Sequence, residues 1–193
     1  MASTYLTRTA ETPTLGTKCT ISCWVKRASS GTGEALFSAY TDTNERHVFG
    51  FNDYNIILFG KQGGSTNVNL ETTRMFRDSS AWYHIVLSVD TTQGTASDRV
   101  KIYVNGSQET AFDLSTYPAQ NDILEFQVNS ASLSVGAKNH GSFAEHFNGS
   151  MTHFHFVDGT AYDASTFGET DSTSGIWKPK TAPSVTYGTN GFF

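Results

Sequence analysis

The sequence is poor in charged residues and has no excess of cations. Charged residues make up 16% of the 193 residues, and 13 Lys and Arg stand against 18 Asp and Glu, which gives a formal net charge of −5. A nucleic-acid partner requires a surplus of Lys and Arg gathered on one face. We therefore expect no nucleic-acid partner, and we expect surface polarity to come mainly from uncharged Gly, Ser, Thr and Asn.

Long apolar runs are also lacking. No run reaches the roughly 18 to 20 residues that a membrane-spanning helix needs. The N-terminal segment MASTYLTRTAE has no apolar core of a secretory signal peptide. We expect neither membrane insertion nor export by the general secretion route, which a protein released by cell lysis does not need.

Cysteine is scarce, with Cys19 and Cys23 as the two examples. In an extended strand they lie on one face about 13 Å apart, at roughly 3.3 Å per residue. That separation is too large for a disulfide between them. We expect two buried thiols that alternate with Ile21 and Val25 on a core face, with a zinc site as the alternative.

The sequence is rich in short segments in which apolar and polar residues alternate. Val100, Ile102 and Val104 follow the period of a half-buried strand. This run ends in Asn105-Gly106, a pair that favours a type I′ hairpin turn because both residues tolerate positive φ.

Similar segments, bounded by Gly, Asn, Asp and Ser, recur along the chain, and helical character is confined to a turn at Asp163–Phe167. Their spacing predicts an all-β fold, a two-sheet antiparallel β-sandwich. The predicted strands are Thr4–Thr7, Thr17–Arg27, Ala35–Tyr40, His47–Phe51, Asn55–Gly60, Asn67–Glu71, Trp82–Val89, Arg99–Asn105, Ser107–Phe112, Ser132–Gly136 and Gly149–Asp158.

Three separated blocks of sequence carry a resemblance to a known family. They are SCWVKR at 22–27, WYHIV…DTT…RVKIYVNG within 82–106, and FVDGTAYD…FGE…GIWKPK…YGTNGF from 156 to 192. Taken in this order, they resemble the laminin G-like branch of the concanavalin A-like lectin/glucanase superfamily, in the version common in tailed phages and marine viruses. The resemblance implies a jelly roll of roughly a dozen antiparallel strands.

The length predicts a single domain, residues 1–193, in which residues 159–193 form a Pro- and Gly-containing C-terminal extension packed on the sandwich. Trp177 is expected to anchor this extension rather than to serve as a platform for a sugar. The resemblance also implies a first strand ahead of Tyr5 and a closing strand after Phe193, both absent from the sequence. Unpaired sheet edges of this kind predict self-association.

No catalytic motif is found. Glucanases of the superfamily carry E-x-D-x-x-E on one strand, because a retaining glycosidase needs two carboxyls about 5 Å apart. That motif and the G-x-S-x-G nucleophile elbow are both missing from the sequence. We expect no enzyme and no catalytic residues.

His153 and His155 alternate with Phe154 and Phe156 in a predicted strand. Both imidazoles are therefore expected on one face, over a core built from Phe. The spacing suits zinc, but no third ligand lies at a motif spacing. We interpret the pair as surface histidines.

Calcium is the metal that the resemblance implies, held in rim loops by carboxylate and carbonyl oxygens. The candidate ligands are Asp90 and Asp98, which flank the long polar loop of the second block. Asx residues in turns more often bind their own backbone. We therefore interpret Asp158, followed by Gly159, as a structural turn.

Two polar loops have the composition of a carbohydrate site, which needs amides and carboxylates for hydroxyl groups and an aromatic face for the sugar ring. They lie within residues 39–55 and 138–142. The predicted site consists of Tyr40, Asp42, Asn44, Arg46, Asn52, Asp53, Tyr54, Asn139 and His140.

Residues and resemblance together predict a non-enzymatic carbohydrate-recognition or adhesion module at the surface of a phage or virus particle, or otherwise extracellular. Its partner would be host-surface polysaccharide, bound by many copies at once. The alternative is a structural virion protein that decorates a capsid or builds a fibre through contacts with other virion proteins. The fold alone does not decide between them.

Overall fold

The computed structural model describes residues 4–28 and 33–193. Residues 1–3, part of the N-terminal segment discussed above, and residues 29–32 lie outside the described residues. In chain order the strands are β1 (Leu6–Thr9), β2 (Lys18–Arg27), β3 (Glu34–Asp42), β4 (Glu45–Asn52), β5 (Asn55–Gln62), β6 (Ser65–Met75), β7 (Tyr83–Asp90), β8 (Val100–Val104), β9 (Ser107–Glu109), β10 (Phe112–Thr116), β11 (Ser132–Val135), β12 (Lys138–Asn139), β13 (Phe143–Ala144), β14 (Gly149–Asp158), β15 (Gly168–Thr170) and β16 (Trp177–Pro179). Short 3₁₀ turns lie at Ala96–Asp98, Glu125–Gln127 and Ala164–Thr166.

Two antiparallel sheets pack face to face, which confirms the predicted β-sandwich. The larger sheet has seven strands in the order β1-β11-β3-β4-β5-β6-β10, and the smaller has five in the order β14-β2-β7-β8-β9. Two hairpins, β12–β13 and β15–β16, lie outside these sheets. None of the helical segments in the described part of the chain is long and apolar enough to cross a membrane.

The predicted strand Ser107–Phe112 is wrong as a single element. The chain pairs with β8 through β9, leaves the smaller sheet after Glu109, and enters the larger sheet as β10 at Phe112. The residues from Ser107 to Thr110 are all polar, whereas Ala111 and Phe112 are both apolar, so the alternation breaks where the chain changes sheet. The other predicted strands each overlap an observed one.

The core lies between the two sheets and is dominated by phenylalanine, with Phe37, Phe49 and Phe126 fully buried. Cys19 and Cys23 point into this core, and both are free thiols, as predicted. Burial raises the pKa of the Cys23 thiol to about 12. A thiol that remains protonated is a poor nucleophile and a poor metal ligand.

Local turn predictions are also confirmed. Asn105 and Gly106 adopt φ of 48° and 84° in the turn between β8 and β9. The turn after Asp163 is a 3₁₀ turn, capped by the Asp163 side chain, which accepts from the Ser165 amide. The buried carboxylate of Asp158 holds a structural turn and accepts from the backbone amides of Thr14 and Asn190.

Strand β14 contains a bulge. Its register with β2 shifts between Thr152 and His155, and His153 has a φ of 48°. The rings of Phe154 and Phe156 nevertheless approach Phe37 in the core, while both histidine rings lie near Phe193 on the opposite side. The predicted separation of histidines and phenylalanines onto two faces is therefore confirmed. The interpretation of both as surface histidines is wrong for His155, which is 4% exposed because Phe167 and Tyr187 pack against its ring.

The segment after Gly159 lies against the outer face of the five-stranded sheet. Phe167 and Trp177 pack there with Val86 of β7 and Val157 of β14. A Cβ placed on Gly106 would lie 2.8 Å from the Trp177 ring, so the indole rests directly on the hairpin turn. Trp177 thus anchors this segment, as predicted.

Candidate functional site

The structure divides the predicted sugar-binding residues between the two ends of the seven-stranded sheet. Tyr40, Asp42, Asn44 and Arg46 lie around the β3–β4 turn, whereas residues 52–54 lie at the β4–β5 turn. Strand β4 separates the two turns by about 23 Å at roughly 3.3 Å per residue. The two groups are therefore too far apart to contact the same sugar ring.

At the β3–β4 end the polar groups stabilise their own turns. Asp42 Oδ1 accepts from the amides of Asn44 and Glu45 at 2.7 and 3.1 Å. Arg46 donates to the carbonyl of Thr43. These side chains therefore have a structural role that needs no ligand.

The β12–β13 turn lies close to the same end. A Cβ on Gly141 would come within 3.2 Å of the Tyr40 hydroxyl. Asn139 is buried: its backbone amide donates to Ser38 Oγ at 3.0 Å, and its Oδ1 accepts from the Gly141 amide. The structure thus brings Tyr40 next to Asn139 and His140. The backbone amide and the side-chain oxygen of Asn139, however, already have hydrogen-bond partners within the protein.

At the β4–β5 end, Asp53 has a φ of 55° and its carbonyl accepts from Arg27 at 2.6 Å. Arg77 lies over the ring of Tyr54, 5.3 Å from its centroid. Asn52 differs, because its side chain lies on the outer face of the sheet, where Nδ2 is 3.4 Å from Glu71 Oε2. Of the nine predicted residues, Asn52 is the one that lines the cavity described next.

This cavity, which we call the sheet groove, crosses the outer face of the seven-stranded sheet and has a volume of about 500 Å³. Its side chains come from five different strands and from the segments that flank them. The lining residues are Gly33, Asn52, Ile57, Phe59, Asn69, Glu71, Leu114, Lys138 and Glu145.

Strand register sets the floor of the sheet groove. Ile57 on β5 lies opposite Glu71 on β6, and Glu71 lies opposite Leu114 on β10. Two residues along, Phe59 lies opposite Asn69. Apolar and hydrogen-bonding side chains therefore stand side by side, about 4.8 Å apart from strand to strand.

One wall of the sheet groove is an ion pair. Lys138 Nζ lies 2.6 Å from Glu145 Oε1, with side-chain exposures of 22% and 33%. The Glu145 carbonyl accepts from the Ala35 amide, and a Cβ on Gly33 would meet the Glu145 carboxylate at 2.8 Å. Backbone and neighbours thus hold this pair in place.

Most of the groove residues lie on strands, whereas the predicted sugar-binding residues were taken from two polar loop regions. Ile57, Phe59, Asn69 and Glu71 occupy the alternate positions of β5 and β6 that point away from the core. That alternation is visible in the sequence. The pairing of the two strands, which turns four separate positions into one surface, is not.

Asp90 and Asp98 line a second, smaller cavity of about 270 Å³, on the five-stranded sheet. Asp90 is bound by Lys18 at 3.1 Å and Asp98 by Lys101 at 3.2 Å. Burial opposes ionisation of Asp90, but hydrogen bonds from Thr92, Gln93 and Lys18 outweigh it and lower its pKa to about 2. Within residues 4–28 and 33–193, no group of three or more His, Cys, Asp or Glu has the arrangement of a metal site.

The fold and the groove define a lectin-like β-sandwich, and the comparisons agree with that class. Residues 2–165 match a laminin G family model described as the concanavalin A-like lectin/glucanases superfamily. The chain belongs to this superfamily. No curated protein sequence matches it.

Solved structures share the fold at low sequence identity. A heptameric SAP-like pentraxin from Limulus polyphemus has a TM-score of 0.54 and 18% identity, covering 81% of this chain and 70% of that one. Domain 4 of AbnA, a GH43 extracellular arabinanase from Geobacillus stearothermophilus in complex with arabinotriose, has a TM-score of 0.53 and 20% identity over 77% and 64%. The CBM40 of a Ruminococcus gnavus sialidase bound to α2,3-sialyllactose has a TM-score of 0.52 and 15% identity over 76% and 89%.

Proposed function

We propose that this protein is a non-enzymatic carbohydrate-binding module that holds its glycan in the sheet groove. The observation that carries the proposal is the position of Phe59 beside Asn69, and of Ile57 beside Glu71, on paired strands. A sugar ring stacks its C–H face on an aromatic ring, while amides and carboxylates bind its hydroxyls. Two of the similar folds were solved with an oligosaccharide, which supports this choice of ligand class.

The biological setting that we propose is the surface of a phage or other virus particle, where the module attaches the particle to host-surface polysaccharide. Many copies on one particle would raise a weak single contact to firm attachment through effective concentration. This setting rests on the sequence resemblance to viral members of the family.

A structural role in particle assembly is the second candidate, and one observation favours it. Strand β1 is an edge strand, and beside it lies a mainly apolar opening of about 320 Å³. It is lined by Leu6, Thr7, Arg8, Phe37, Leu133, Val135 and Phe192. Leu6 is 71% exposed. An exposed edge strand next to apolar surface is suited to contact with another protein.

Hydrolysis of the bound glycan is not expected, although the sheet groove holds two carboxylates. A glycosidase needs one of its two carboxyls as a proton donor. Glu145 forms an ion pair with Lys138 and is therefore not available for that role. Incubation with any polysaccharide that binds should release no reducing ends, and release that is lost in E71Q would contradict the proposal.

The decisive test is binding of the labelled protein to an array of bacterial and algal polysaccharides. We expect wild-type protein to bind, Phe59→Ala to lose at least about tenfold in affinity through loss of the stacking surface, and Trp82→Ala to bind normally. Trp82 is the matched control because it is an exposed aromatic outside the groove. If wild-type protein binds none of the polysaccharides on the array, the role in particle assembly is favoured.

The same array tests calcium at Asp90 and Asp98, which stays a prediction. Binding of calcium there would have to displace the lysines that now bind both carboxylates. Such a site would be supported if EDTA abolishes glycan binding and added calcium restores it in wild-type protein but not in D90N.

A further inference from the structure

We propose that the sheet groove selects uncharged, extended polysaccharides and excludes acidic ones, and that the Lys138–Glu145 ion pair determines this choice. The inference rests on the proposed function and adds the class of sugar. It draws on the charges in the groove, on the order of its side chains and on its extent.

The first step concerns charge. Among the described lining residues, Lys138 is the cation, and its ammonium group is 2.6 Å from the carboxylate of Glu145. The remaining charged group is Glu71, whose described hydrogen bond is a long one, 3.4 Å from Asn52. The described lining residues therefore carry a net negative charge, and their one cation, Lys138, is already paired.

An acidic sugar would be repelled in such a groove. Recognition of an anionic group depends on charge-assisted hydrogen bonds, most often from Arg or Lys. A carboxylate sugar placed beside Glu71 brings like charges together in a partly desolvated site, which is unfavourable. The sialyllactose-bound domain with a similar fold shows that this sandwich is compatible with an acidic ligand, so the exclusion is a property of these side chains.

The second step concerns the hydroxyl groups. An ionised carboxylate such as Glu71 only accepts hydrogen bonds, and the amides of Asn52 and Asn69 both donate and accept. Glu71 and Asn69 lie beside the apolar pair Ile57 and Phe59 on β6, and Asn52 lies on β4, on the other side of β5. A neutral pyranose offers the complementary arrangement, a C–H face for the apolar pair and hydroxyl donors for the carboxylate.

The third step concerns length. The groove extends from the β12–β13 hairpin, which carries Lys138 and borders Glu145, to Leu114 on the edge strand β10. The hairpin lies beside β3, and β3 is four strand intervals from β10, so the surface spans roughly 19 Å at about 4.8 Å per interval. That extent suits several linked sugar rings better than a single one, and Leu114 is 45% exposed at its open end.

The test measures dissociation constants by calorimetry for two neutral probes, laminarin and galactomannan, and two acidic probes, alginate and polygalacturonate. We expect wild-type protein to bind a neutral probe at least about tenfold more tightly than either acidic probe at low salt. Glu145→Gln releases Lys138 from its partner and should tighten binding of the acidic probes about tenfold, because a free ammonium group then faces the ligand. Trp82→Ala serves as the control, and circular dichroism verifies the fold of each variant.

The outcomes separate the two proposals. If wild-type protein prefers an acidic probe and Phe59→Ala abolishes that binding, the groove is a sugar site but the inference on sugar class is wrong. If Glu145→Gln leaves the preference between neutral and acidic probes unchanged, the ion pair does not determine it, and that part of the inference is overturned. If wild-type protein binds no probe of either class and no polysaccharide on the array, the proposed function itself is wrong.

Discussion

Arg8, Arg27 and Arg99 are explained by the backbone groups that they bind. Arg8 donates to the carbonyls of Thr189 and Asn190, and Arg99 donates to those of Gln93, Gly94 and Pro118. Arg27 binds the carbonyls of Asp53 and Phe76 and the carboxylate of Glu34. The guanidinium group, with five donors in a fixed plane, is suited to joining several loops at once.

The Arg27–Glu34 pair gives a prediction about stability. The two charged groups are 2.7 Å apart, and their side chains are only 2% and 3% exposed. Arg27→Met should lower the free energy of unfolding by about 3–5 kcal/mol, because it leaves a buried carboxylate without its partner. Urea denaturation at neutral pH measures this loss.

The double variant Arg27→Met, Glu34→Met is the control for that experiment. It removes both charges together and should cost less than Arg27→Met alone. Equal losses in the single and double variants would mean that the carbonyl contacts of Arg27, rather than the ion pair, provide the stability.

Among the elements, the β15–β16 hairpin is held to the sheet by a histidine of defined protonation. Trp177 Nε1 lies 2.9 Å from His84 Nδ1, and because an indole N–H is only a donor, Nδ1 must accept. The proton of the neutral ring then lies on Nε2, 2.9 Å from Ser22 Oγ. The His84 ring also stacks between Trp24 and Trp177, with centroids 5.0 and 6.0 Å away.

This contact predicts loss of stability in acid. Burial, together with the nearby His155 and His153, lowers the pKa of His84 from 6.5 to about 3, and burial lowers that of His155 to about 4. Between these values and 6.5 the unfolded chain takes up protons that the folded chain does not. Stability is therefore complete above about pH 6.5 and falls as the pH drops, by up to about 1.4 kcal/mol per unit for each histidine.

Urea unfolding of wild-type protein and His84→Gln between about pH 7 and pH 5 measures this effect. The variant should lose less stability per pH unit than the wild type, while His140→Gln, in the β12–β13 turn, should behave as the wild type does. Parallel pH profiles for His84→Gln and wild-type protein would show that His84 does not carry the acid sensitivity.

For the whole molecule, the family match and the folded unit have different extents. The match ends at residue 165, but Phe167, Trp177 and Tyr187 lie beyond it and pack on the outer face of the five-stranded sheet. That face includes Trp24, Val86 and Val157, all of which are buried. The residues after 165 therefore complete the sandwich by covering a second apolar layer.

A chain that ends at residue 165 should accordingly be unstable, even though it includes the entire family match. Removal of Phe167 and Trp177 exposes apolar surface, and the burial of one such side chain stabilises by about 1.5–3 kcal/mol. We expect a loss of at least about 3 kcal/mol and a tendency to aggregate. Soluble yield and thermal unfolding measure this, and an unfolding midpoint equal to that of the full chain would contradict it.

The sequence by itself determined the features that depend on residues close together in the chain. The strands, the Asn105-Gly106 turn and the core positions of Cys19 and Cys23 follow from an alternation of two residues and from the φ that Asn and Gly tolerate. The fold class follows from the same pattern repeated along the chain. Neighbouring residues carry enough information for each of these conclusions.

Only the tertiary structure decided where a ligand can bind. It separated the loop residues Asp42 and Asp53 to opposite ends of β4, and it divided Ser107–Phe112 between two sheets. It also placed Phe59 beside Asn69, which depends on the register of β5 against β6. A shift of one residue in that register would turn one strand's groove side chains toward the core, so the site depends on pairing between strands and not on the local pattern of either strand.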